Sequence, residues 1–278
     1  MATTASISNN TAHQPPMAGV ATASQRHAGV VRSVRMLCVL ALLALGQQAW
    51  AQQYLGTPGL IHAPSAEMDT AGVARLGAQY IPVAMMPDAF KFEGEKYASW
   101  TNYVSITPFR WVEVGYGYTL MKFHKNHNPD AKVGFYSKDR YLTLRLQPLR
   151  EGKYWPSVVV GGNDVYGSGD EGFSGSNYYR NFYVAATKHF KLGGNLLGTH
   201  LAYRWWKRDY NDKWAGVTAG LTFRPAFYSK LRFVAEWDGN EANVGVDCLL
   251  FKYFMLQCAL YDYSNFTAGL SLYIPLLK

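Results

Sequence analysis

The feature that most constrains the fold is an alternation of apolar and polar side chains with a period of two residues. Between Ala215 and Arg224, apolar residues at every second position alternate with Gly, Thr and Arg, and the stretches 231–238 and 266–274 repeat the pattern. Such an alternation predicts β-strands with one apolar face. After residue 51 no stretch approaches the eighteen consecutive apolar residues of a membrane helix, so a helical membrane protein is excluded.

The alternation and the turn residues between its segments predict twelve strands. Long connections rich in Gly, Asn, Asp and Lys alternate with shorter ones that carry Pro, as in bacterial outer-membrane barrels with their long outer loops and short periplasmic turns. The predicted fold is therefore all-β, a single antiparallel transmembrane β-barrel of about twelve strands. A soluble β-sandwich is the alternative, since its strands alternate too. The predicted strands are 73–80, 97–107, 112–120, 140–147, 157–164, 178–189, 196–205, 215–224, 231–238, 241–250, 256–263 and 266–274.

The amino-terminal part of the chain has the pattern of an export signal. Three arginines precede the apolar run 36–46, and Ala49-Trp50-Ala51 follows as an A-x-A cleavage motif. The domain boundaries expected from this pattern are a leader and signal peptide at 1–51, a turn-rich segment at 52–70 and a barrel at 71–278. The mature protein is expected in the outer membrane, with cleavage near Ala51.

Charge and aromatic content agree with a barrel in contact with lipid. Removing the leader lowers the formal net charge from +8 to +5, and Lys and Arg are spread along the chain, so no nucleic-acid partner is expected. Of the 42 aromatic residues, 41 follow residue 51. Interfacial girdles of Tyr and Trp would use this excess.

The alternation also predicts which charged side chains face the lumen. Two interpretations are open for them: an ion-pair network that stabilises the barrel, or a polar path for a sugar chain or small solute. The segment 52–70 has Gly and Pro without sustained alternation, and it either folds into the lumen as a constriction or forms a periplasmic lead-in. The lumen candidates are Arg75, Glu113, Arg145, Arg204, Arg232, Glu236 and Asp247.

Several spaced motifs resemble one protein family. The opening 56–68 reads GTPGLIHAPSAEM, and the later matches are Asp139-Arg140, Leu149-Arg150-Glu151-Gly152, Tyr154-Trp155-Pro156 and 185–190, AATKHF. Together they resemble the YjbH-like outer-membrane proteins associated with exopolysaccharide and capsule production. Well-known members are several times longer and resemble two barrels, whereas this chain has room for one. The residues that carry the resemblance are Gly59, Leu60, Ile61, Pro64, Asp139, Arg140, Glu151, Gly152, Pro156 and Lys188.

The resemblance implies a non-enzymatic component of exopolysaccharide or capsule production or export. Its expected partners are outer-membrane lipid and lipopolysaccharide, a polysaccharide chain and other export components. An aromatic and basic cluster is predicted where one strand reaches the outer surface, either for sugar and lipopolysaccharide contact or as an ordinary interfacial belt. Its members are Tyr203, Trp205, Trp206, Lys207 and Arg208.

Two other functions remain open, a passive small-solute porin and an outer-membrane lipid hydrolase. Hydrolysis needs a base beside its nucleophile, and no His stands on a strand beside a Ser at the outer rim, so no catalytic residue, cofactor or metal is predicted. Cys248 and Cys258 are symmetric about Tyr253, so a hairpin centred there places them opposite each other on the lipid face. Two free thiols are favoured over a disulfide, because directly paired strand positions seldom give the required dihedral without strain.

Overall fold

The protein is a closed β-barrel of twelve antiparallel strands, shown by a computed structural model that describes residues 52–92, 94–166, 178–207 and 209–276. Each strand pairs with its neighbours in sequence, and the last pairs with the first, with Val73 opposite Pro275. The predicted fold class and strand number are confirmed. The leader and the cleavage site predicted near Ala51 lie outside the described residues.

All twelve predicted strands are present, with ends that move by a few residues. In the described parts of the connections there are four short 3-10 turns, at Val83–Met85, Asp88–Phe90, Lys125–His127 and Asp209–Trp214. Among the described residues, no helix is long and apolar enough to cross a membrane. The strands are β1 Val73–Ile81, β2 Ser99–Phe109, β3 Val112–His124, β4 Val133–Leu149, β5 Ser157–Asn163, β6 Asn181–Leu192, β7 Asn195–Trp206, β8 Gly216–Arg224, β9 Leu231–Trp237, β10 Ala242–Leu250, β11 Phe254–Tyr261 and β12 Asn265–Pro275.

Closure of the sheet gives each strand an inner and an outer face. In β8, Val217 and Leu221 point outward and are 55% and 52% exposed, whereas Thr218 and Thr222 point inward and are buried. The same division recurs in β12, where Leu270 is exposed and Ser271 is buried. An apolar outside around a polar inside is the arrangement of a membrane barrel and the reverse of a soluble sandwich.

The two ends of the barrel carry different connections. One end, here called the short-turn end, has the turns 110–111, 150–156, 193–194, 225–230 and 251–253. The other, the long-loop end, includes the connections 82–98, 164–180 and 207–215. The third connection, expected to be a long loop over 121–139, is shorter than predicted, because β3 and β4 remain paired to His124 and Val133 and leave only 125–132 as a loop.

Prolines near the short-turn end coincide with breaks in strand pairing. The register between β2 and β3 shifts between Ile106 and Phe109, around Pro108, and that between β4 and β5 shifts between Leu146 and Leu149, around Pro148. Proline has no N–H to donate to a ladder, so it is tolerated where a bulge leaves a residue unpaired.

The predicted pairing of Cys248 with Cys258 is wrong, because each cysteine lies opposite a residue two positions away from the other cysteine. Leu250 lies opposite Phe254, so the hairpin is centred on Lys252, and Cys248 faces Leu256 while Cys258 faces Val246. The turn explains the shift: Phe251 and Lys252 both have positive φ, and the Tyr253 N–H donates to the Leu250 carbonyl. Both cysteines lie on the outer face, and they are free, as favoured from the sequence.

Candidate functional site

The barrel lumen is occupied by the chain's own segment 52–70, which we call the plug. Every residue from 52 to 67 is buried. The plug folds back on itself through backbone hydrogen bonds, from the Tyr54 N–H to the Ile61 carbonyl at 3.1 Å and from the Leu60 N–H to the Ala63 carbonyl at 3.0 Å. Gly56 turns the chain with a φ of +87°, and a Cβ there would lie 2.1 Å from the ring of Tyr103 on the barrel wall. Of the two alternatives for this segment, the structure therefore shows the lumen insert.

Glu236 on β9 holds the plug by its backbone. Its carboxylate accepts hydrogen bonds from the N–H groups of Ile61, His62 and Ala63 at 2.9, 2.7 and 3.1 Å. The side chain of Asn243 donates a fourth, at 2.9 Å. Consecutive backbone N–H groups around an anion form a concave site of the kind proteins use to bind anions, and here the anion belongs to the barrel wall.

Arg232, two inward positions before Glu236 on β9, binds both a side chain and a backbone carbonyl of the plug. It donates to Glu67 of the plug at 2.9 Å, to the Gly59 carbonyl at 3.1 Å and to Asp247 on β10 at 2.8 Å. Burial opposes ionisation of Glu67, but the Arg232 charge and a hydrogen bond from His189 hold its pKa below the ordinary range. Glu67 is therefore ionised wherever the barrel is folded near neutral pH.

Two further arginines hold the plug from the opposite side of the lumen. Arg145 on β4 donates to the carbonyls of Ser65 and Glu67 at 2.7 and 2.8 Å and pairs with Glu113 at 3.1 Å. Arg75 on β1 binds Asp69 through two of its guanidinium nitrogens. Because both partners of each pair are buried, removing one would leave an uncompensated charge in the lumen.

Arg204 on β7 holds the plug at His62. The guanidinium donates to the His62 carbonyl at 2.9 Å and lies 3.0 Å from its Nδ1, which is also 3.2 Å from Asp238. Burial and the charge of Arg204 lower the pKa of His62, so the ring is neutral. The ring stacks on Tyr54 with centroids 4.5 Å apart and packs against Trp214 at 4.9 Å.

Small residues on the wall make room for the apolar plug residues. A Cβ at Gly220 would lie 2.3 Å from Leu60, and one at Gly245 would lie 3.1 Å from Ile61. The Leu60 carbonyl accepts from Gln257 at 3.0 Å. The lumen glycines therefore match the shape of the plug, an arrangement that a water-filled channel would not require.

The two ends of the plugged lumen differ in packing and polarity. At the long-loop end, an apolar and aromatic cluster from loops and strand ends covers Tyr54 and Leu55 of the plug, and it includes Met86, Tyr179 and Trp214. At the short-turn end there is a cavity of about 590 Å³ beside residues 66–71. The lumen is thus closed by packed side chains toward one end and opens into a polar cavity at the other.

All seven residues predicted to face the lumen are buried inside the barrel. The structure brings four arginines and Glu236 onto the plug itself, through contacts that the sequence pattern did not reveal. Sequence reasoning missed Glu67 and Asp69, because they lie in a segment without strand periodicity. A signal was present: the predicted lumen set has four arginines against three acids, and a barrel needs further buried anions to balance them.

The predicted outer cluster is divided by the strand between two faces. Tyr203 and Trp205 point outward and are 56% and 43% exposed, and Lys207 is exposed. Trp206 was wrongly included: it points inward and donates its indole N–H to the Trp214 carbonyl at 3.1 Å. Adjacent strand residues face opposite sides, so Trp205 and Trp206 cannot share a surface. Arg208 lies outside the described residues.

The motif residues identified from the sequence meet in two places. Gly59 and Pro64 form a bridge inside the plug, with Leu60 and Ile61 between them. Lys188 on β6 pairs with Glu151 at 3.2 Å and also donates to the Gly152 carbonyl, beside the cavity. The remaining motif residues lie on or next to the wall strands: Asp139 is buried in β4, Arg140 follows it on the outer face, and Pro156 precedes β5.

Comparison with protein families agrees with this distribution of motifs. Residues 51–243 match the YjbH model, described as exopolysaccharide biosynthesis protein YbjH. The chain belongs to the YjbH family. The matched region runs from the start of the plug to the start of β10, so it includes Glu236 and the plug residues that Glu236 binds. The YjbH match associates the chain with exopolysaccharide biosynthesis.

Comparisons with curated sequences and with solved structures give no further information on function. No curated protein sequence matches the chain. Among solved structures, outer membrane phospholipase A from Escherichia coli has 13% identity and a TM-score of 0.30, covering 73% of this chain and 95% of its own. The calcium-bound dimer of the Salmonella typhi outer membrane phospholipase has 13% identity and a TM-score of 0.31, covering 73% of this chain and 89% of its own. Scores this low relate neither the activity nor the site of those enzymes to this YjbH protein.

Proposed function

We propose that this YjbH protein is a non-enzymatic outer-membrane component of exopolysaccharide or capsule production or export, and that it works as a barrel closed by its own plug. The observation that carries the proposal is the coincidence of the family motif 59–64 with the part of the plug held by Arg232, Glu236 and Gln257. The family supplies the association with exopolysaccharide, and the geometry supplies the closed state.

The proposed location follows from the outer face. A closed barrel with exposed apolar residues and an aromatic belt suits the outer membrane, where its partners are lipid and lipopolysaccharide. Phe109 and Trp111, stacked with centroids 6.0 Å apart, lie at the short-turn end, and Tyr203 and Trp205 lie toward the long-loop end. Short turns face the periplasm in such barrels, so the cavity faces the periplasm and the aromatic cover faces outward.

A closed lumen favours this function over the passive porin. A porin needs a water-filled path, whereas here Leu60 and Ile61 pack against the wall at Gly220 and Gly245. Passage of a polysaccharide chain would require withdrawal of the plug. Gating by another export component therefore fits the geometry, since the plug is joined to the wall by hydrogen bonds and ion pairs that can separate together.

The hydrolase alternative gains no support from the three described histidines on the lumen side. The ring nitrogens of His189 face carboxylates, Glu151 at 2.7 Å and Glu67 at 3.4 Å, and the other two rings are enclosed. His200 lies between Thr187 and Thr222 at 3.0 Å from each hydroxyl, and His62 is enclosed by Tyr54, Arg204 and Trp214. A catalytic base must be within hydrogen-bond reach of a nucleophile that substrate can approach, and these rings are buried in the packed lumen.

Gene deletion and complementation test the proposal. Deletion should reduce or alter surface polysaccharide, and the wild-type gene should restore it without changing outer-membrane permeability to small solutes. If polysaccharide is unchanged and permeability falls on deletion, the protein is a porin. Labelling of the purified protein by a serine-reactive probe, with release of fatty acid from phospholipid, would instead identify a hydrolase.

The outer aromatic residues have a separate test within the same assay. A variant with Tyr203→Ala and Trp205→Ala should insert as a barrel, since both side chains lie outside the packed lumen. Poor restoration of polysaccharide by this variant would show that the cluster contacts sugar or lipopolysaccharide. Full complementation would make it an interfacial belt only.

A further inference from the structure

The cavity at the short-turn end is lined by groups of both charges. Its volume of about 590 Å³ lies between residues 66–71, where the plug leads into β1, and the turns that follow β2 and β4. This is within the range of about 300–1,000 Å³ found for small-molecule sites. Its polar lining includes Gln147, Ser157 and Thr70, which also bond to the protein: Gln147 donates to the Ala66 carbonyl at 2.9 Å, Ser157 donates to the Thr187 carbonyl at 3.1 Å, and the Thr70 hydroxyl lies 3.2 Å from that of Tyr273. Amide and hydroxyl groups in such contacts keep further capacity to accept hydrogen bonds from the hydroxyls of a ligand.

The three carboxylates that line the cavity are already engaged by the protein. Asp69 is bound by Arg75, and Glu67 is bound by Arg232. Glu151 contacts His189 at 2.7 Å and Lys188 at 3.2 Å. Each negative charge is therefore matched by a cation of the barrel, and the carboxylates contribute little net potential to the cavity.

Two arginines of the lining differ from these acids. Arg110, in the turn between β2 and β3, and Arg150, after β4, are both exposed at the cavity. Within the described residues, neither guanidinium group takes part in a hydrogen bond or an ion pair. Arg150 contributes only its backbone carbonyl, which accepts the Trp155 indole N–H at 3.1 Å. Guanidinium groups bind carboxylates through paired N–H donors, so the side of the cavity where Arg110 and Arg150 are exposed is suited to bind an anion.

We propose that the cavity binds a carboxylate-bearing sugar unit of an acidic polysaccharide, with Arg110 and Arg150 on the carboxylate and the polar lining on the hydroxyls. This inference rests on the proposed function, under which a polysaccharide chain reaches the barrel from the periplasmic side. The lining favours a sugar over a bare anion, because Gln147, Ser157 and Thr70 surround space that a small ion would leave empty. It also favours a sugar over a lipid headgroup, because the cavity lies inside the barrel wall against the plug.

Binding to the purified full-length mature protein in detergent tests the inference. The probes are an oligogalacturonate, which carries a carboxylate on each sugar, a neutral maltooligosaccharide of equal length, and inorganic phosphate, with affinity measured by calorimetry at low and high salt. The acidic sugar should bind at least tenfold more tightly than the neutral one, and salt should weaken it. The variant with Arg110→Gln and Arg150→Gln should lose about tenfold or more of that affinity.

A control variant removes two positive charges from the same, short-turn end of the barrel but outside the cavity. Lys230 and Lys252 lie in the short turns after β8 and β10, and neither lines the cavity. Replacing both with Gln should leave oligogalacturonate affinity within about twofold of wild type. Equal losses in the two double variants would show a general charge effect and overturn the proposed site.

The remaining outcomes separate the ligand sources. Equal affinity for the acidic and the neutral sugar would overturn the assignment to an acidic sugar. Phosphate that binds as tightly as the acidic oligosaccharide, and competes with it, would also overturn it. If deletion alters surface polysaccharide while the purified protein binds no acidic sugar, the cavity inference fails and the proposed function stands. If deletion has no effect while binding depends on the two arginines, the proposed function fails and the site stands.

Discussion

Replacement of Glu236 with Gln should release the plug. The carboxylate takes four N–H donors, from Ile61, His62, Ala63 and Asn243, shared between its two oxygens. A glutamine keeps one oxygen and turns an NH₂ toward the donors of the other, so two of the four hydrogen bonds are lost. Hydrogen bonds to charged groups contribute about 1.5–3 kcal/mol each, which gives about 3–6 kcal/mol against the closed state. Every 1.4 kcal/mol is a factor of ten, so the withdrawn population should rise at least a hundredfold.

Ion conductance across a planar lipid bilayer measures this release. Wild-type barrels should insert without a steady current, and Glu236→Gln barrels should show frequent openings. The control is Glu241→Gln in the turn between β9 and β10, where the partly buried side chain accepts from Asn240 at 2.9 Å and is not among the plug contacts, so the change should cost about 1 kcal/mol or less. A Glu236→Gln barrel as silent and as resistant to unfolding as the control would refute the anchoring role of Glu236.

Three other perturbations test separate parts of the structure. Val217→Lys on the outer face should cost about 2–4 kcal/mol near the membrane midplane. Thr218→Lys should cost at least as much because the lumen is filled, and urea unfolding in lipid vesicles that shows no loss of stability for it would contradict a filled lumen. Arg232→Ala should cost about 3–5 kcal/mol by leaving buried carboxylates unpaired, seen as a lower temperature for the gel-mobility change on heating; an unchanged temperature would contradict the ion-pair geometry. The lowered pKa of Glu67 makes its contribution fully present above the ordinary value of 4.5 and lost only as pH falls further. The difference in unfolding free energy between wild type and Glu67→Gln should therefore stay constant from neutral pH to about pH 4.5, and a difference that shrinks near pH 6 would contradict the pairing.

The strands were predictable because their signal is local. In β8 the order of Val217, Thr218 and Leu221 is enough to define two faces, and the lumen charges were located by the same rule. The same alternation shows why the assignment of Trp206 to the outer surface was wrong. Its neighbour Trp205 faces outward, so Trp206 must face inward, although both residues are aromatic. The cysteine register failed because it depends on the positive φ of Phe251 and Lys252, and neither residue type announces such a turn.

The plug contacts could not be predicted from the sequence. Ile61 and Glu236 lie far apart along the chain, and nothing in either residue's surroundings specifies the other. The segment 52–70 has no strand periodicity, so its path depends on the shape of the closed lumen, including the space left at Gly220. The family resemblance identified Leu60 and Ile61 as motif residues, but their role emerges only once the barrel wall surrounds them.

A pair of introduced cysteines measures directly whether the plug lies inside the lumen. In a background with Cys248→Ala and Cys258→Ala, Leu60→Cys would be combined with Gly220→Cys, because a Cβ added at position 220 would touch the Leu60 side chain. Mass spectrometry of digested outer membranes should find the peptides of positions 60 and 220 joined by a disulfide. The same change with Leu221→Cys, on the outer face one residue away, should give no link. Free thiols at both 60 and 220, with the one at 60 open to maleimide labelling, would contradict a plugged barrel.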